Sequence, residues 1–208
     1  RQYRTREGVS SREEWLGFVE VWRQARALNN AVLEALHAAG LPAIAFPVSS
    51  AGRRKMDGQI GWDLSALKSS LDRGLLPIVY GDVLLDDRIG GTILSTEEIF
   101  AYLARSLQVE RILIAGKESG VYADYPVNRM PIPEISPANI MNVRANLRGS
   151  ESVDVTGGMA AKVETMLDLT AHLPALIVRI FSGLEVDGVY RAVCGEPIGT
   201  LISQGKGG

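Results

Sequence analysis

Short apolar segments of strand length alternate with longer segments of helical periodicity along the chain. The apolar segments lie at residues 41–48, 75–80, 110–115, 175–180 and 199–202. The first helical pattern begins at a capping box formed by Ser11 and Glu14, and Gly40 is placed to end it. Strands that alternate with helices are joined by crossover connections, which are nearly always right-handed and which leave neighbouring strands mainly parallel. The sequence therefore predicts an α/β fold with a largely parallel central sheet.

A glycine pair at the start of a later helical segment predicts an anion site. Gly157 and Gly158 precede Met159, the expected first helical residue, and they allow a ligand to approach the backbone closely. The first free amides of a helix and the positive end of its dipole attract anions, and Lys162 ends the first turn. Asp154, on the approach side, could hold a lysine or a hydrated Mg²⁺. The alternative is a Gly-Gly turn before an ordinary amphipathic helix that binds nothing.

Two further segments place polar residues where α/β proteins bind ligands. Gly81 and Asp82 follow an apolar segment, so they lie at the carboxyl end of a predicted strand. Ser95 or Thr96 then caps a helix whose first turn carries Glu97. Asp82 either orients a charged group or caps a turn.

Composition and charge exclude several classes of protein. The chain has 208 residues, which is enough for one α/β domain with a substantial core. Its net charge of −2 provides no basic surface for nucleic acid, and its single cysteine, Cys194, excludes an internal disulfide. No apolar run reaches the length of a membrane span, and no signal peptide is evident. We therefore expect a cytoplasmic protein without a nucleic-acid or membrane partner.

The order of the short motifs resembles that of a known superfamily. Four segments occur in sequence: Gly81-Asp82-Val83, Gly91-Thr92-Ile93-Leu94-Ser95 before a helix, Gly120-Val121-Tyr122 after a strand, and Asp154-Val155-Thr156-Gly157-Gly158-Met159 followed by Lys162. Gly199-Thr200 adds a fifth. This arrangement resembles that of the amino acid kinase superfamily, and the residues around Gly157 look most like those of its isopentenyl phosphate kinase branch. The resemblance covers nearly the whole chain and supports the superfamily more strongly than the branch.

The resemblance implies a fold, a reaction and two cosubstrate sites. The fold would be a three-layer sandwich, a single domain whose acceptor-binding half is about 1–108 and whose nucleotide-binding half is about 109–204. The reaction would be ATP-dependent phosphorylation of isopentenyl phosphate to isopentenyl diphosphate in isoprenoid precursor synthesis. Such kinases align donor and acceptor and neutralise charge with lysines, Mg²⁺ and backbone amides. ATP, Mg²⁺ and a small phosphorylated acceptor are thus expected, in a homodimer without a resident metal site.

The resemblance also assigns roles to individual residues. Gly157, Gly158 and Lys162 match the nucleotide-phosphate element, and Lys162 would stabilise the charge on the transferring oxygens. Gly120 and Tyr122 match the segment that lines the nucleotide site. On the acceptor side, the matching residues are Gly81, Asp82, Ser95 and Thr96. The residues expected to take part in catalysis are Lys162, Glu97 and Asp154.

The chain departs from the family pattern in three places, which bear on whether it is active. The family's amino-terminal strand, with its lysine and glycine pair, and its Gly-Ser-Phe-Gly-His loop have no counterpart, so an amino-terminal part is apparently missing. If it is truly absent, the protein should be inactive. Glu97 stands where the family has an aspartate. Lys117 also replaces an aspartate, and there it places a cation at the nucleotide.

Two other functions stay open. One is a superfamily kinase for a nucleoside monophosphate, an acidic amino acid or a phosphonate, for which Arg53, Arg54 and Lys55 could line a polar acceptor pocket. The other is a regulatory module that binds nucleotide without turnover, which the departures at Lys117 and Glu97 motivate. For isopentenyl phosphate itself, the apolar residues Phe46, Ile60 and Trp62 could form the slot for its hydrocarbon tail, or they could be ordinary core.

Overall fold

A computed structural model of the protein describes residues 5–124, 127–147 and 158–205. The chain forms two compact units, Arg1–Ile99 and Phe100–Gly208. Helix α3, Thr96–Leu107, begins in the first unit and continues in the second. A single domain divided into acceptor and nucleotide halves near residue 108 stays a prediction.

The first long element is helix α1, Arg12–Ala38, and its ends are those that the sequence predicts. The Ser11 hydroxyl accepts a hydrogen bond from the Glu14 amide, and the Glu14 carboxylate accepts one from the Ser11 amide. Hydrogen bonds from Ser11 and Ser10 to the Glu14 carboxylate lower the pKa of Glu14 to about 2. At the other end, Gly40 adopts a φ of +75°, which only glycine reaches without strain.

Two sheets lie in the first unit. Strands β1, Ala43–Ala45, and β4, Leu76–Ile78, form a parallel pair. The second sheet has the order β3-β2-β5-β6, with its members at Ile60–Trp62, Gly52–Arg54, Asp82–Asp86 and Gly90–Leu94. Strand β2 is parallel to β5, whereas β3 and β6 are antiparallel to their neighbours. Helix α2, Ser65–Leu71, connects the two sheets along the chain.

The strands β2 and β3 lie largely where the sequence predicts no strand. The stretch 49–61 is polar and contains glycine and aspartate breaks, so the sequence predicts an excursion there. It instead contains β2 and the first two residues of β3, because the backbone of β2 pairs with β5 at Arg53 and Arg54. A three-residue strand is too short to show the period of two from which strands are predicted.

The β5–β6 hairpin packs on the first part of α1. A Cβ on Gly91 would lie 2.8 Å from the Phe18 ring, and a Cβ on Gly90 would overlap the Val9 carbonyl. Trp15, which its helical spacing predicts to face the core, is half-buried and meets Phe18 edge-to-face at 5.2 Å between ring centroids. The Asp-Asp-Arg-Ile-Gly-Gly sequence at 86–91 predicts a hairpin loop, which the pairing of β5 with β6 confirms, and the two glycines are needed for close packing.

The second unit contains one four-stranded sheet with the order β7-β9-β10-β8. Its strands are Arg111–Gly116, Ile177–Ser182, Thr200–Ile202 and Glu134–Ile135. The helices that accompany it after α3 are α4, Ile140–Leu147, α5, Gly158–His172, and α6, Gly188–Val193. The core of this unit is formed by apolar side chains of α5 and the sheet, including Val163, Met166, Leu169, Val178, Ile180 and Ile202.

The predicted α/β class is confirmed. Parallel pairing joins β1 with β4, β2 with β5, β7 with β9 and β8 with β10. Strand β10, which the alternation alone would make parallel, runs antiparallel to β9. It follows the short helix α6 rather than a full-length crossover helix.

Candidate functional site

The residues expected to meet the acceptor come together where the β5–β6 hairpin passes into α3. Antiparallel pairing places Asp82 opposite Leu94, and the residues on either side of this pair therefore become neighbours. A Cβ built on Gly81 would lie 3.2 Å from the Thr96 hydroxyl and 3.4 Å from the Thr96 amide nitrogen. Glycine thus leaves the start of α3 open from the side of the hairpin.

Asp82 lies beneath this junction and not on its surface. Only 1% of the residue is exposed. Its carboxylate accepts hydrogen bonds from the Ser49 hydroxyl and from the Val83 amide. Burial raises the pKa of Asp82 in spite of these hydrogen bonds, and burial together with the charge of Asp82 raises the pKa of Tyr80. Asp82 therefore holds the segment Val48–Ser50 against β5 from within the first unit.

Ser95 caps α3 in a closed pair of hydrogen bonds. Its hydroxyl accepts a hydrogen bond from the Glu98 amide, while the Glu98 carboxylate accepts from both the amide and the hydroxyl of Ser95. The Ser-x-x-Glu pattern that signals such a capping box is present in the sequence. Because these contacts occupy the Ser95 side chain, Thr96 is the better candidate for contact with a ligand.

A cavity of about 310 Å³ opens beside Gly81 and Thr96. Its walls are mainly apolar and come from α1 and β4, with Leu28, Val32 and Ile78 among them. Asn29 also lines it, is 5% exposed, and has a side-chain oxygen without a hydrogen-bond partner among the described residues. The predicted slot residues Phe46, Ile60 and Trp62 do not line this cavity. The arrangement can hold a small ligand that combines a polar group with a hydrocarbon part.

The residues expected to meet the nucleotide begin at the carboxyl end of β7. Lys117 is exposed, and its carbonyl accepts a hydrogen bond from the Ser182 hydroxyl at the end of the parallel neighbour β9. The Gly183 amide donates to the Gly116 carbonyl in the same place. Adjacent carboxyl ends of parallel strands are the usual ligand-binding edge of an α/β sheet.

Gly120 and Tyr122 follow in the same segment, and the structure gives Gly120 a packing role. A Cβ on Gly120 would lie 2.7 Å from the Thr200 hydroxyl oxygen. That hydroxyl accepts a hydrogen bond from the Val121 amide and donates one to the Ile132 carbonyl. The sequence singles out Thr200 only as part of the Gly199-Thr200 motif, and no local pattern indicates its contact with Gly120. Tyr122 is half-buried and forms an isolated antiparallel bridge with Pro131.

Helix α5 begins at Gly158, one residue before the predicted start, and the half-buried Lys162 follows four residues later, at the end of the first turn counted from Met159. The helix is fixed by its buried face and by an ion pair between Arg144 of α4 and Glu164, with nitrogen–oxygen distances of 2.6 and 2.7 Å. Both guanidinium bonds go to one carboxylate, which restricts the orientation of the helix. Asp154 and Gly157 lie outside the described residues.

Two properties of the described residues bear on partners and cofactors. No group of three or more histidine, cysteine, aspartate or glutamate side chains there could hold a metal ion. No helix in the part of the chain that the structure covers is long and apolar enough to cross a membrane. A magnesium ion that arrives with nucleotide phosphates needs only one or two protein carboxylates, so its binding does not depend on such a group.

Comparisons with known proteins give a consistent result. The model of the amino acid kinase family matches residues 1–179. Isopentenyl phosphate kinase from Methanocaldococcus jannaschii is 34% identical over 186 residues, which are 89% of this chain and 67% of that protein. Isopentenyl phosphate kinase from Haloferax volcanii is 38% identical over 178 residues, covering 85% and 66% respectively. The chain thus spans about two thirds of the length of these two relatives.

The comparison with solved structures agrees with the sequence comparisons. A crystal structure of isopentenyl phosphate kinase superposes with a TM-score of 0.75 at 26% sequence identity. The superposition covers 94% of this chain and 75% of that protein.

Proposed function

Because the chain belongs to the amino acid kinase family, we propose that it transfers the γ-phosphoryl group of ATP to isopentenyl phosphate, forming isopentenyl diphosphate. The observation that carries this proposal is the identity of 34% and 38% with two relatives of that activity over 89% and 85% of the chain. The amino acid kinase-like fold predicted from the sequence is confirmed by the structural similarity.

On the acceptor side, we propose direct contact by Gly81 and Thr96 and a supporting role for Asp82 and Ser95. The Thr96 hydroxyl makes no hydrogen bond to another described residue, and it faces the cavity beside Gly81. The start of α3 adds helix amides and a dipole that favour a phosphate. Apolar walls next to that position suit a short hydrocarbon tail. Such a wall separates methylene-sized differences by only about 1–3 kcal/mol, so related short-chain phosphates should also react.

On the nucleotide side, we propose that Gly158 and Lys162 meet the phosphates, with Lys117, Gly120 and Tyr122 along the nucleotide. A lysine aimed at the transferring group stabilises charge that grows in the transition state. We propose that Gly157 allows close approach of the phosphates to the backbone and that Asp154, with Glu97 on the acceptor side, completes the charged groups. Mg²⁺, held by the nucleotide and at most one or two of these carboxylates, would neutralise charge on the β- and γ-phosphate oxygens.

A small phosphorylated acceptor and ATP are the expected reactants, and a homodimer in the cytoplasm is the expected form. Nothing in the net charge of −2 favours a nucleic-acid partner. Of the alternatives, the kinase with a polar acceptor pocket is the less favoured, because Arg54 lines a polar cavity but its guanidinium is already paired with Asp86 and Glu98.

A coupled assay with a panel of acceptors tests the reaction. ATP consumption with isopentenyl phosphate, and not with UMP, an acidic amino acid or a phosphonate, is the expected result. Turnover with UMP alone would select another kinase of the family. Nucleotide binding without turnover on any acceptor would select the regulatory module.

Replacing Lys162 by alanine tests the proposed phosphate site. We expect kcat to fall by about 10²-fold or more, because the substitution removes a charge directed at the transition state. Thr165→Ala, three residues further along α5, is the matched control and should leave kcat within about twofold. The melting temperature of both variants should stay close to that of the wild type. A Lys162→Ala enzyme with near-normal kcat would remove Lys162 from the mechanism.

A further inference from the structure

Arg54 joins three separate parts of the first unit through one guanidinium group. Its Nε lies 3.5 Å from the Asp86 carboxylate at the β5–β6 turn. One terminal nitrogen donates to the Glu98 carboxylate at 2.9 Å, and the other donates to the Gly58 carbonyl at 3.3 Å. The side chain of Arg54 is 23% exposed and that of Asp86 is 3% exposed, so the contact between them is shielded from water more than a surface pair, whereas the side chain of Glu98 is 44% exposed.

Glu98 passes this restraint on to the start of α3. Its Oε1 accepts from Arg54, while its Oε2 accepts from the amide and hydroxyl of Ser95. Ser95 directly precedes Thr96. The chain of contacts from Arg54 through Glu98 to Ser95 therefore fixes the backbone from which the Thr96 side chain projects.

The first turn of α3 separates two cavities. Glu98, Arg54 and Asp86 line a polar cavity of about 390 Å³, whereas Thr96 and Gly81 line the mainly apolar cavity of about 310 Å³. Arg54 is not among the residues that line the second cavity. It can therefore influence a ligand beside Thr96 only through the helix turn and not by contact.

We propose that Arg54 is a positioning residue for acceptor binding, acting through the Glu98 carboxylate on the first turn of α3. The proposal rests on the proposed function, in which Thr96 contacts the acceptor phosphate. It predicts that Arg54 governs the affinity for the acceptor and not that for ATP. A planar guanidinium can reach Asp86, Glu98 and Gly58 together, and a lysine ammonium cannot.

The experiment compares Arg54→Gln, Arg54→Lys and Glu98→Gln with Arg23→Gln as the matched control. Arg23 also pairs with a glutamate, Glu20, but it does so on the exposed surface of α1. We expect Arg54→Gln and Glu98→Gln each to raise the KM for isopentenyl phosphate by about tenfold, with the KM for ATP within about twofold of the wild type. Arg54→Lys should raise the acceptor KM similarly. The KM for isopentenyl phosphate of the double variant Arg54→Gln/Glu98→Gln should not exceed that of either single variant, because both residues act in one chain of contacts.

Hydrogen exchange provides a readout that does not depend on activity. In Arg54→Gln, the amides of residues 95–99 should exchange about tenfold faster or more, while those of β7 and the Arg23→Gln control stay unchanged. Unchanged exchange at 95–99 would overturn the proposal whatever the assay shows. Faster exchange with an unchanged acceptor KM would overturn it too, as would full rescue by lysine. If the wild type does not phosphorylate isopentenyl phosphate, the proposed function fails, and the exchange data alone decide whether Arg54 holds the turn.

Discussion

In each unit the hydroxyl of a threonine lies close to the position that a Cβ would take on a glycine. The two glycine–threonine pairs differ in what surrounds the threonine hydroxyl. Gly81 faces Thr96 in the first unit, and Gly120 faces Thr200 in the second. Thr200 is 1% exposed, and its hydroxyl both accepts and donates a hydrogen bond. Thr96 is half-buried, and its hydroxyl bonds to no other described residue and borders a cavity.

The comparison separates two reasons for a glycine within a motif. Gly120 is required by the packing of Thr200, because the hydroxyl occupies the place of a Cβ. Gly81 leaves space beside a hydroxyl that has no partner in the described part of the chain. Buried hydroxyls are nearly always hydrogen-bonded, so a partly exposed hydroxyl at a cavity is the one available to a ligand. We therefore expect substitutions at the first pair to change substrate binding and those at the second to change stability.

The largest expected effect is the loss of stability in Gly120→Ala. The new Cβ would lie 2.7 Å from the Thr200 oxygen and 3.2 Å from its amide nitrogen, so the buried strand end must move. We expect the free energy of unfolding to fall by about 2–3 kcal/mol, as for overpacked cores. Chemical denaturation followed by circular dichroism measures the change.

Gly81→Ala is the matched control for this prediction. Its Cβ would approach the Thr96 hydroxyl to 3.2 Å, and that side chain can rotate away. We expect a loss of less than about 1 kcal/mol. A smaller cost of Gly120→Ala in a Thr200→Ala background would identify the hydroxyl as the cause. Equal losses at Gly81 and Gly120 would contradict the distinction between the two pairs.

Next in size is the loss of acceptor affinity in Thr96→Val. Valine keeps the shape of threonine and removes the hydroxyl, so a hydrogen bond to a charged phosphate is lost. We expect the KM for isopentenyl phosphate to rise about tenfold, equivalent to about 1.4 kcal/mol, with an unchanged melting temperature. Steady-state kinetics with saturating ATP measure it.

Thr200→Val should give the opposite result. The substitution leaves the Val121 amide and the Ile132 carbonyl without their hydrogen-bond partner. We therefore expect a lower melting temperature and an unchanged KM for the acceptor. If Thr96→Val loses stability instead of affinity, the hydroxyl of Thr96 has a structural role and the acceptor proposal must be revised.

The sequence was informative wherever the deciding contacts are local. The capping box at Ser11 and Glu14, the end of α1 at Gly40 and the hairpin at 86–91 each depend on residues a few positions apart. The Ser95–Glu98 box is equally local and readable. Such motifs satisfy backbone groups within one turn, so their residue types alone predict them.

The contacts that the sequence did not indicate join distant residues. Arg54 meets Glu98, Arg144 meets Glu164, and Gly120 meets Thr200, and in each case neither residue type nor spacing distinguishes the partner. The sequence could therefore place Gly81 and Gly120 in one list of site residues. Only the fold shows that a buried threonine accounts for one of them.

The smallest expected effect concerns Asp82, the buried acid beside Gly81. Burial raises its pKa in the folded protein, so the folded state binds a proton more readily than the unfolded state. The contribution of Asp82 to the free energy of unfolding therefore increases as the pH falls from the raised pKa of the folded state towards the ordinary pKa of the unfolded state. This contribution is lost as the pH rises through the raised pKa. Asp82→Asn removes the titration and can keep hydrogen bonds to Ser49 and Val83. We expect its stability at pH 7 to lie within about 1 kcal/mol of the wild type.

The pH dependence carries the test. The stability of Asp82→Asn relative to the wild type should be highest near pH 7 and should decline towards pH 4, as measured by denaturation at several pH values. Asp63→Asn is the control with the opposite sign, because the hydrogen bond from the Ser65 amide lowers the pKa of Asp63. Its deficit should be present at pH 7 and should close as the pH falls through that lowered pKa. A difference between Asp82→Asn and the wild type that does not vary with pH would mean that Asp82 is not held in the buried, proton-attracting environment, and its supporting role beneath Gly81 would be lost.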